Sequence, residues 1–455
     1  MEEVRVAIPI SAVGYGINED TLKALMARDP HVVAADAGST DSGPYYLGSG
    51  HSNKARASVK RDLRLMLTAA RAHRVPLVIG NAGTSGARPH HEWMLQIVRE
   101  IAREEGLSFR LAVVWAEQDK SFVHARLAAG NIRPLPGVHP LTPAHIDACV
   151  HIVAQMGVEP YLRALDAGAD VVLAGRSCDT SIIASYPIWR GADPALALHM
   201  AKITECGALC AYPSTGRDGI MGVVREGDFL IETPNPARTV TPFSVAAHMI
   251  YEVEHPYLQE EPGGTQDFSA ARVEQAGERA VRITGSRFTP RARPTLKLEG
   301  SAVTGYRSFL IGGTRDPFLI KQIDYYVEGV TAEVHKVLGD LTAQCRIDWK
   351  VYGRDAVMGG MEPTPTIDGA HELGLLVQVL APTQEIAHDV CTLIEGRMIG
   401  FPYPGAKTRT AHIAFPFSPL IHDSGPVYRF DVFHLTEVDR AEDLERIFPL
   451  ELITL

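Results

Sequence analysis

The chain is expected to be an α/β protein: an N-terminal, mostly parallel sheet of about six strands with helices on both faces, followed by an α+β domain with a ferredoxin-like part. Three observations predict this. Apolar β-branched runs alternate with segments of helical period up to about residue 190. Those runs are apolar along nearly their whole length, as strands buried on both faces must be. Beyond residue 216 the runs shorten and alternate apolar with polar, which suits antiparallel pairing.

In order, "VRVAIPI" precedes the helical "NEDTLKALMARD", with Asn18 as its N-cap, and "HVVAAD" precedes "KARASVKRDLRLMLTAARAH", where Leu63, Leu67 and Ala70 share one face. "VPLVIG", "RLAVVWAE", "CVHIVAQ" and "VVLAG" continue the alternation and complete the six strands. The turn formers of "AYPSTGRDG" place a boundary there, giving domains 1–216 and 217–455. Within the second, "YRSFLIGG" through "VYRFDVFHLTEV" reads as βαββαβ over about 306–436, the split βαβ order.

With 455 residues, 45% hydrophobic and 22% charged, the composition is that of a globular protein long enough for two domains. The net charge of −10 and the absence of a dense basic patch argue against a nucleic-acid partner. "MEEVRVAIPI" lacks the positive charge of a secretory leader, and no apolar run has the length of a membrane span, so a cytoplasmic protein without a membrane role is expected. Its six cysteines are scattered, and Cys206 and Cys210 read as small residues on a helix face rather than a metal or redox pair.

Ligands in open α/β sheets bind beyond the carboxyl ends of the strands, so the post-strand loops are the expected site. Glycine permits sharp turns and close approach to a ligand, while hydroxyls and amides at helix starts hold anions. "DAGSTDSG", "GNAGTSG" and "GRSCDTS" have this character, which nominates Ser39, Thr40, Asn81, Gly83, Thr84, Ser85, Gly86, Arg176, Thr180 and Ser181 for substrate binding; Lys120, in the post-strand loop "EQDK", is added as a Schiff-base amine or a carboxylate clamp. Asp36, Asp41, Glu117 and Asp179, at or past strand ends, are candidates for general acid or base work, with Glu117 or Asp36 as the base. Asp179 also fits a helix N-cap. Cys178 is a candidate nucleophile, because a thiol at a helix start beside Arg176 should have a lowered pKa. Neither a Walker loop nor a dinucleotide fingerprint is present, so no nucleotide cofactor is indicated; a divalent cation, if bound, would fall to Asp36, Asp41 and Asp179. Adjacent His90 and His91 lack the spacing of a zinc site. The loop "GFPYPGAKTRTAHIAFPFSP" offers Lys407 and Arg409 to an acidic substrate and could close over the first domain's site.

Several long motifs, among them "ADAGSTDSGPYYLGSG", "GNAGTSGARPHHEWMLQIVREIAREE", "VVLAGRSCDTSI", "AKITECGALCA" and "YPGAKTRTAHIAFPFSP", together resemble the acyclic terpene utilisation AtuA-like family, nearly end to end. The resemblance implies a catabolic setting whose intermediates are branched carboxylic acids and acyl-CoA thioesters, and a separate small partner subunit. It carries no catalytic residues across. A homo-oligomer is expected. Taken together, the leading expectation is a lyase of the hydratase or dehydratase kind. Its rivals are a hydrolase or acyl transferase using Cys178, and a non-catalytic subunit of a catabolic complex.

Overall fold

The computed structural model of the chain describes residues 3–364, 369–438 and 443–455. It is a mixed α/β structure that divides into two compact units, residues 1–302 with 430–455, and residues 303–429.

The first unit is built on a ten-stranded sheet. Five parallel strands form its centre: β1 (Val4–Ile8), β2 (Val32–Asp36), β3 (Leu77–Gly80), β4 (Arg110–Val114) and β5 (Val171–Ala174), in the spatial order β1-β2-β3-β5-β4. Every residue of β2, β3 and β5 is buried. Successive side chains pack into different cores, Val32 and Ala34 in one and Val33 and Ala35 in the other, so apolar layers cover both faces. The helices Arg56–His73 and Arg88–Glu105 supply one layer, through Leu63, Leu67, Met94 and Ile97. Asp179–Trp189 and Pro194–Thr204 supply the other, through Ile182, Ile183, Leu196 and Met200.

Two features depart from the sequence expectation. "CVHIVAQ" does form a strand, Cys149–Gln155, but it pairs antiparallel with Lys297 to Ala302 instead of joining the parallel sheet, which leaves five parallel strands and not six. Its apolar content shows a strand and cannot show the partner. The compact units also divide at 302/303, whereas the turn-rich segment at 211–219 was the expected boundary. Ile220–Val224, just past that segment, pairs antiparallel with β1; Phe229–Glu232, Ala280–Thr284 and Arg272–Gly277 then extend the same sheet outward. Leu450–Thr454 closes the opposite edge against β4.

The second unit runs strand, helix, strand, strand, helix, strand. The segment after residue 303 of the strand Thr295–Thr314 pairs with Leu373–Ala381, which pairs with Arg346–Tyr352, and Ile421–Glu437 lies on its other side. Helices Ile323–Leu338 and Gln384–Gly400 cover this sheet through Tyr326, Val330, Val390 and Ile394.

The loops after β2, β3 and β5 pack so closely that some glycines have no substitute. A Cβ on Gly86, whose φ is +67°, would stand 2.1 Å from the Arg176 nitrogen; one on Gly38 would stand 2.5 Å from the Thr84 Cα. Gly106, with φ +61°, faces open space. Gly86→Ala is therefore expected to destabilise by about 3 kcal/mol, against about 1 kcal/mol for Gly106→Ala, in urea denaturation. Equal losses would show that loop contact is not what fixes Gly86.

Candidate active site

The carboxyl ends of β2, β3 and β5 bring Asp36, Asn81 and the Arg176 to Asp179 turn together. Asp36 is the last residue of β2 and lies opposite Gly80 of β3. Asn81 follows immediately in a left-handed conformation, φ +52°, which asparagine tolerates better than most residues. Its backbone N–H donates to the Gly175 carbonyl, so the turn after β3 is tied to the turn after β5.

The Asn81 side chain is the hub. Its Nδ2 donates to Asp36 Oδ1 at 2.7 Å and to Asp179 Oδ1 at 2.8 Å. Its Oδ1 accepts from Arg176 Nη1 at 2.9 Å and from the Ser177 backbone N–H at 2.8 Å. Two donors on the oxygen leave only one orientation of the amide, with both N–H bonds aimed at carboxyl groups. Asp36 is buried and Asp179 is about a third exposed, at 35%.

Arg176 is itself held by Glu299. Nε donates to Glu299 Oε2 at 2.7 Å, Nη2 reaches Oε1 at 3.4 Å, and both side chains are buried. Thr40 Oγ1 at 2.8 Å and Lys297 Nζ at 2.7 Å complete the partners of Glu299 Oε1. Burial alone would raise the Glu299 carboxyl, but Arg176 and Lys297 outweigh it and hold the pKa at about 2. Asp36 behaves oppositely. Burial, then the neighbouring Asp179 charge, push its pKa well above the usual carboxylate range against the pull of Asn81 and Gly38. Asp179 is also raised, chiefly by burial, with Arg176 and Asn81 opposing. Two carboxyls with increased proton affinity thus share one amide, while the charge of the adjacent arginine is neutralised by a third.

Behind this centre lies a second group of buried titratable residues. Glu261 Oε2 accepts from Thr180 Oγ1 at 2.7 Å and Cys178 Sγ at 3.2 Å, and its Oε1 accepts from Gln266 Nε2 at 2.6 Å. Lys202 Nζ donates to Glu205 Oε1 at 2.7 Å; both are buried, and burial raises the Glu205 pKa to about 8 despite that partner. The Lys202 charge also acts on Asp179.

The other nominated residues lie elsewhere or have structural partners. Asp41 is exposed and accepts from Ser39 Oγ at 3.0 Å, yet it stands near enough to the site for its charge to raise the proton affinity of Asp179. Glu117 belongs to a different cluster: it accepts the Arg88 N–H at 2.6 Å and pairs with His151 Nδ1 at 2.7 Å, and these contacts lower its pKa against the effect of burial. Lys120 donates to the Asp147 carbonyl on the surface. Thr84 Oγ1 bonds Asn53, Gly83 packs against the His90 carbonyl, and the buried Ser85 hydroxyl has no hydrogen-bond partner among the described residues. The lowering expected for Cys178 is reversed, because burial and the Glu261 charge push its thiol up. Ser181 and Glu261 line a cavity of about 260 Å³ whose other walls include Val158, Ile188, Leu198 and Phe288. Asp36, Asp41 and Asp179 do not form a ligand set: among the described residues, no group of three or more His, Cys, Asp or Glu could hold a metal ion.

Glu299, Glu261, Lys202 and Glu205 were missed in the sequence. The signal was there for three of them. "TLKLEG" puts Lys297 and Glu299 on one face of an apolar strand, and "LHMAKITE" puts Lys202 and Glu205 one turn apart in an apolar helix.

The family model of the acyclic terpene utilisation family protein AtuA matches residues 51–418, most of the chain. The chain belongs to this family. AtuA-family membership brings a catabolic role in the use of acyclic terpenes, and the matched span contains Asn81, Arg176, Asp179 and Glu299, while Asp36 lies before it. No match was found among curated proteins or solved structures. No helix among the described residues is long and apolar enough to cross a membrane.

Two outcomes follow from the electrostatics. Glu299→Ala would leave Arg176 charged and buried, so a loss of about 3–5 kcal/mol is expected in denaturant unfolding, and a surface-like loss below about 1 kcal/mol would contradict it. Asp36 has a raised folded pKa, so the folded state keeps a proton that the unfolded chain releases; its contribution is full below about pH 4 and is lost as pH rises towards the folded value. Asp36→Asn is therefore expected to flatten the decline in stability as pH rises above about 4, measured by urea unfolding at a series of pH values.

Proposed function

We propose that the chain is a catabolic enzyme that acts on a small or branched carboxylic acid, or its CoA thioester, by acid/base chemistry, as a lyase of the hydratase or dehydratase kind. The observation that carries this reading is the single Asn81 amide bridging Asp36 and Asp179, two carboxyls of raised proton affinity, one buried and one reaching solvent. Adding or removing water across a carbon–carbon bond needs one group to move a proton at carbon and another to move it at oxygen.

Asp179, the accessible partner, is the group that exchanges a proton with substrate. Asp36, whose own proton affinity is raised by burial and by the Asp179 charge, shares the Asn81 amide with it and positions that amide from the buried side. Lys202 has Glu205 as its hydrogen-bond partner, and its charge acts on Asp179, so it is the cation suited to a substrate carboxylate or thioester oxygen as charge develops. The cavity lined by Val158, Ile188, Leu198 and Phe288 supports a hydrocarbon portion in the substrate. The raised thiol pKa of Cys178 gives no support to a cysteine nucleophile.

The test is turnover by the purified chain on a panel of branched enoyl and hydroxyacyl thioesters and their free acids. Asp179→Asn and Asp36→Asn, each shown to be folded, should reduce kcat by about a hundredfold or more, and Cys178→Ala should leave it near the parent value. Full activity in both aspartate variants would overturn the assignment, inactivity of Cys178→Ala would favour the nucleophile, and an inert parent chain would point to a non-catalytic subunit.

A further inference from the structure

The unit formed by residues 303–429 contains a cavity of about 540 Å³ at one end of its sheet. Lys407 faces into it, on the loop that was expected to close over the first domain's site. An antiparallel pair between Gly313 and Ala414 ties that loop to the sheet, each backbone N–H donating to the other's carbonyl at 2.8 Å.

Three features of the lining are unexplained by folding. First, the cations are not neutralised: among the described residues Lys407 makes no hydrogen bond or ion pair, and the only partner of the Arg315 guanidinium is His371 Nε2, at 2.7 Å. Second, His412 is 8% exposed, and neither ring nitrogen makes a hydrogen bond of proper geometry. The ring packs edge-on against Tyr326 and Tyr403 and is influenced by the Met398 carbonyl, so among the described residues it lacks a well-formed hydrogen bond that a ligand in the cavity could supply. Third, Gly313 and Gly374 stand directly opposite each other on neighbouring strands and both line the cavity. Neither has a positive φ, and a Cβ on either would meet its nearest neighbour at an ordinary 3.6 or 3.5 Å. Glycine in a strand interior is unfavourable by about 0.5–1 kcal/mol relative to alanine, and a recurrent reason for keeping it is close approach of a ligand to the backbone.

Of the acids in the lining, Asp316 is already engaged by the Tyr403 hydroxyl and the Phe318 N–H, while Glu372 is exposed. We propose that this cavity binds a small organic anion, with its carboxylate or phosphate between Arg315 and Lys407 and its flat body on the Gly313–Gly374 floor, next to His412. A planar group fits where two side chains are missing across adjacent strands, and two cations without a carboxylate partner among the described residues fit an anionic substituent on it. This proposal is independent of the acid/base reading, which concerns other residues.

Calorimetric titration of the full chain at low salt, with adenosine monophosphate, benzoate and uncharged adenosine, tests it. Saturable binding of either anion, without binding of adenosine, is the expected result; which anion binds distinguishes a phosphate from a carboxylate ligand. Lys407→Ala and Arg315→Ala should each weaken that binding by about tenfold or more, as loss of a charge-assisted hydrogen bond does. Gly374→Val should abolish binding with the urea midpoint unchanged; if that variant does not fold, the exposed Lys407→Ala carries the test. No saturation by either anion, equal binding of adenosine, or unchanged affinity in both cation variants would overturn the proposal.

Discussion

The buried ion pair between Arg176 and Glu299 is the interaction on which the candidate site depends. Glu299 takes both Nε and Nη2 of the guanidinium, which fixes its plane and directs Nη1 at the Asn81 oxygen. That contact, with the Ser177 N–H, decides which way the Asn81 amide faces, and the amide in turn decides that Asp36 and Asp179 share donors. A lysine at 176 could neutralise Glu299 but could not also hold the amide in one plane. The charge arithmetic follows from the same pair. Because Glu299 is ionised and satisfies Arg176, the arginine is a weaker counter-ion for Asp36, whose proton affinity is then set by burial and by Asp179.

This arrangement separates two jobs that one carboxylate could not perform together. A buried ionised acid with three partner residues, such as Glu299, orders its surroundings and does not titrate near neutral pH. A carboxyl that must exchange protons needs burial that outweighs its cationic neighbours, together with a path to solvent: the Asp179 pKa is raised by burial although Arg176, Asn81 and Lys202 oppose it, and its side chain is about a third exposed. Glu205 and Lys202 continue the pattern on the adjacent helix, where burial and nearby carboxyls bring an acid to about pH 8 beside a cation.

Much of this was legible in the sequence because the parallel sheet leaves a plain signature. Strands such as "HVVAAD" and "VVLAG" are apolar throughout, and the rule that ligand sites lie past their carboxyl ends led to Asp36, Asn81, Arg176 and Asp179. The local pattern could not carry pairing at long range. Cys149–Gln155 reads like any other buried strand, yet its partner lies some 150 residues later; that same partner brings Glu299 to Arg176. Glu117 illustrates the other limit: it stands past a strand end as the rule requires, but its carboxylate caps the helix beginning at Arg88 and pairs with His151. Position along a strand identifies the end of the sheet, whereas the direction of a side chain depends on which neighbour offers donors.

Glycine shows the same distinction between position and reason. In the loops after β2, β3 and β5, glycine looked like room for a ligand, but at Gly38 and Gly86 the space is filled by the backbone of Thr84 and of Arg176. There the missing side chain lets three loops interlock, and the site's geometry is a product of that contact. At Gly313 and Gly374 neither dihedral nor neighbour forbids a side chain, and the local propensity of a strand opposes glycine. A glycine that packing demands explains a fold. A facing pair that packing does not demand, on the floor of a cavity whose cations lack carboxylate partners among the described residues, is the feature that supports the proposed ligand site.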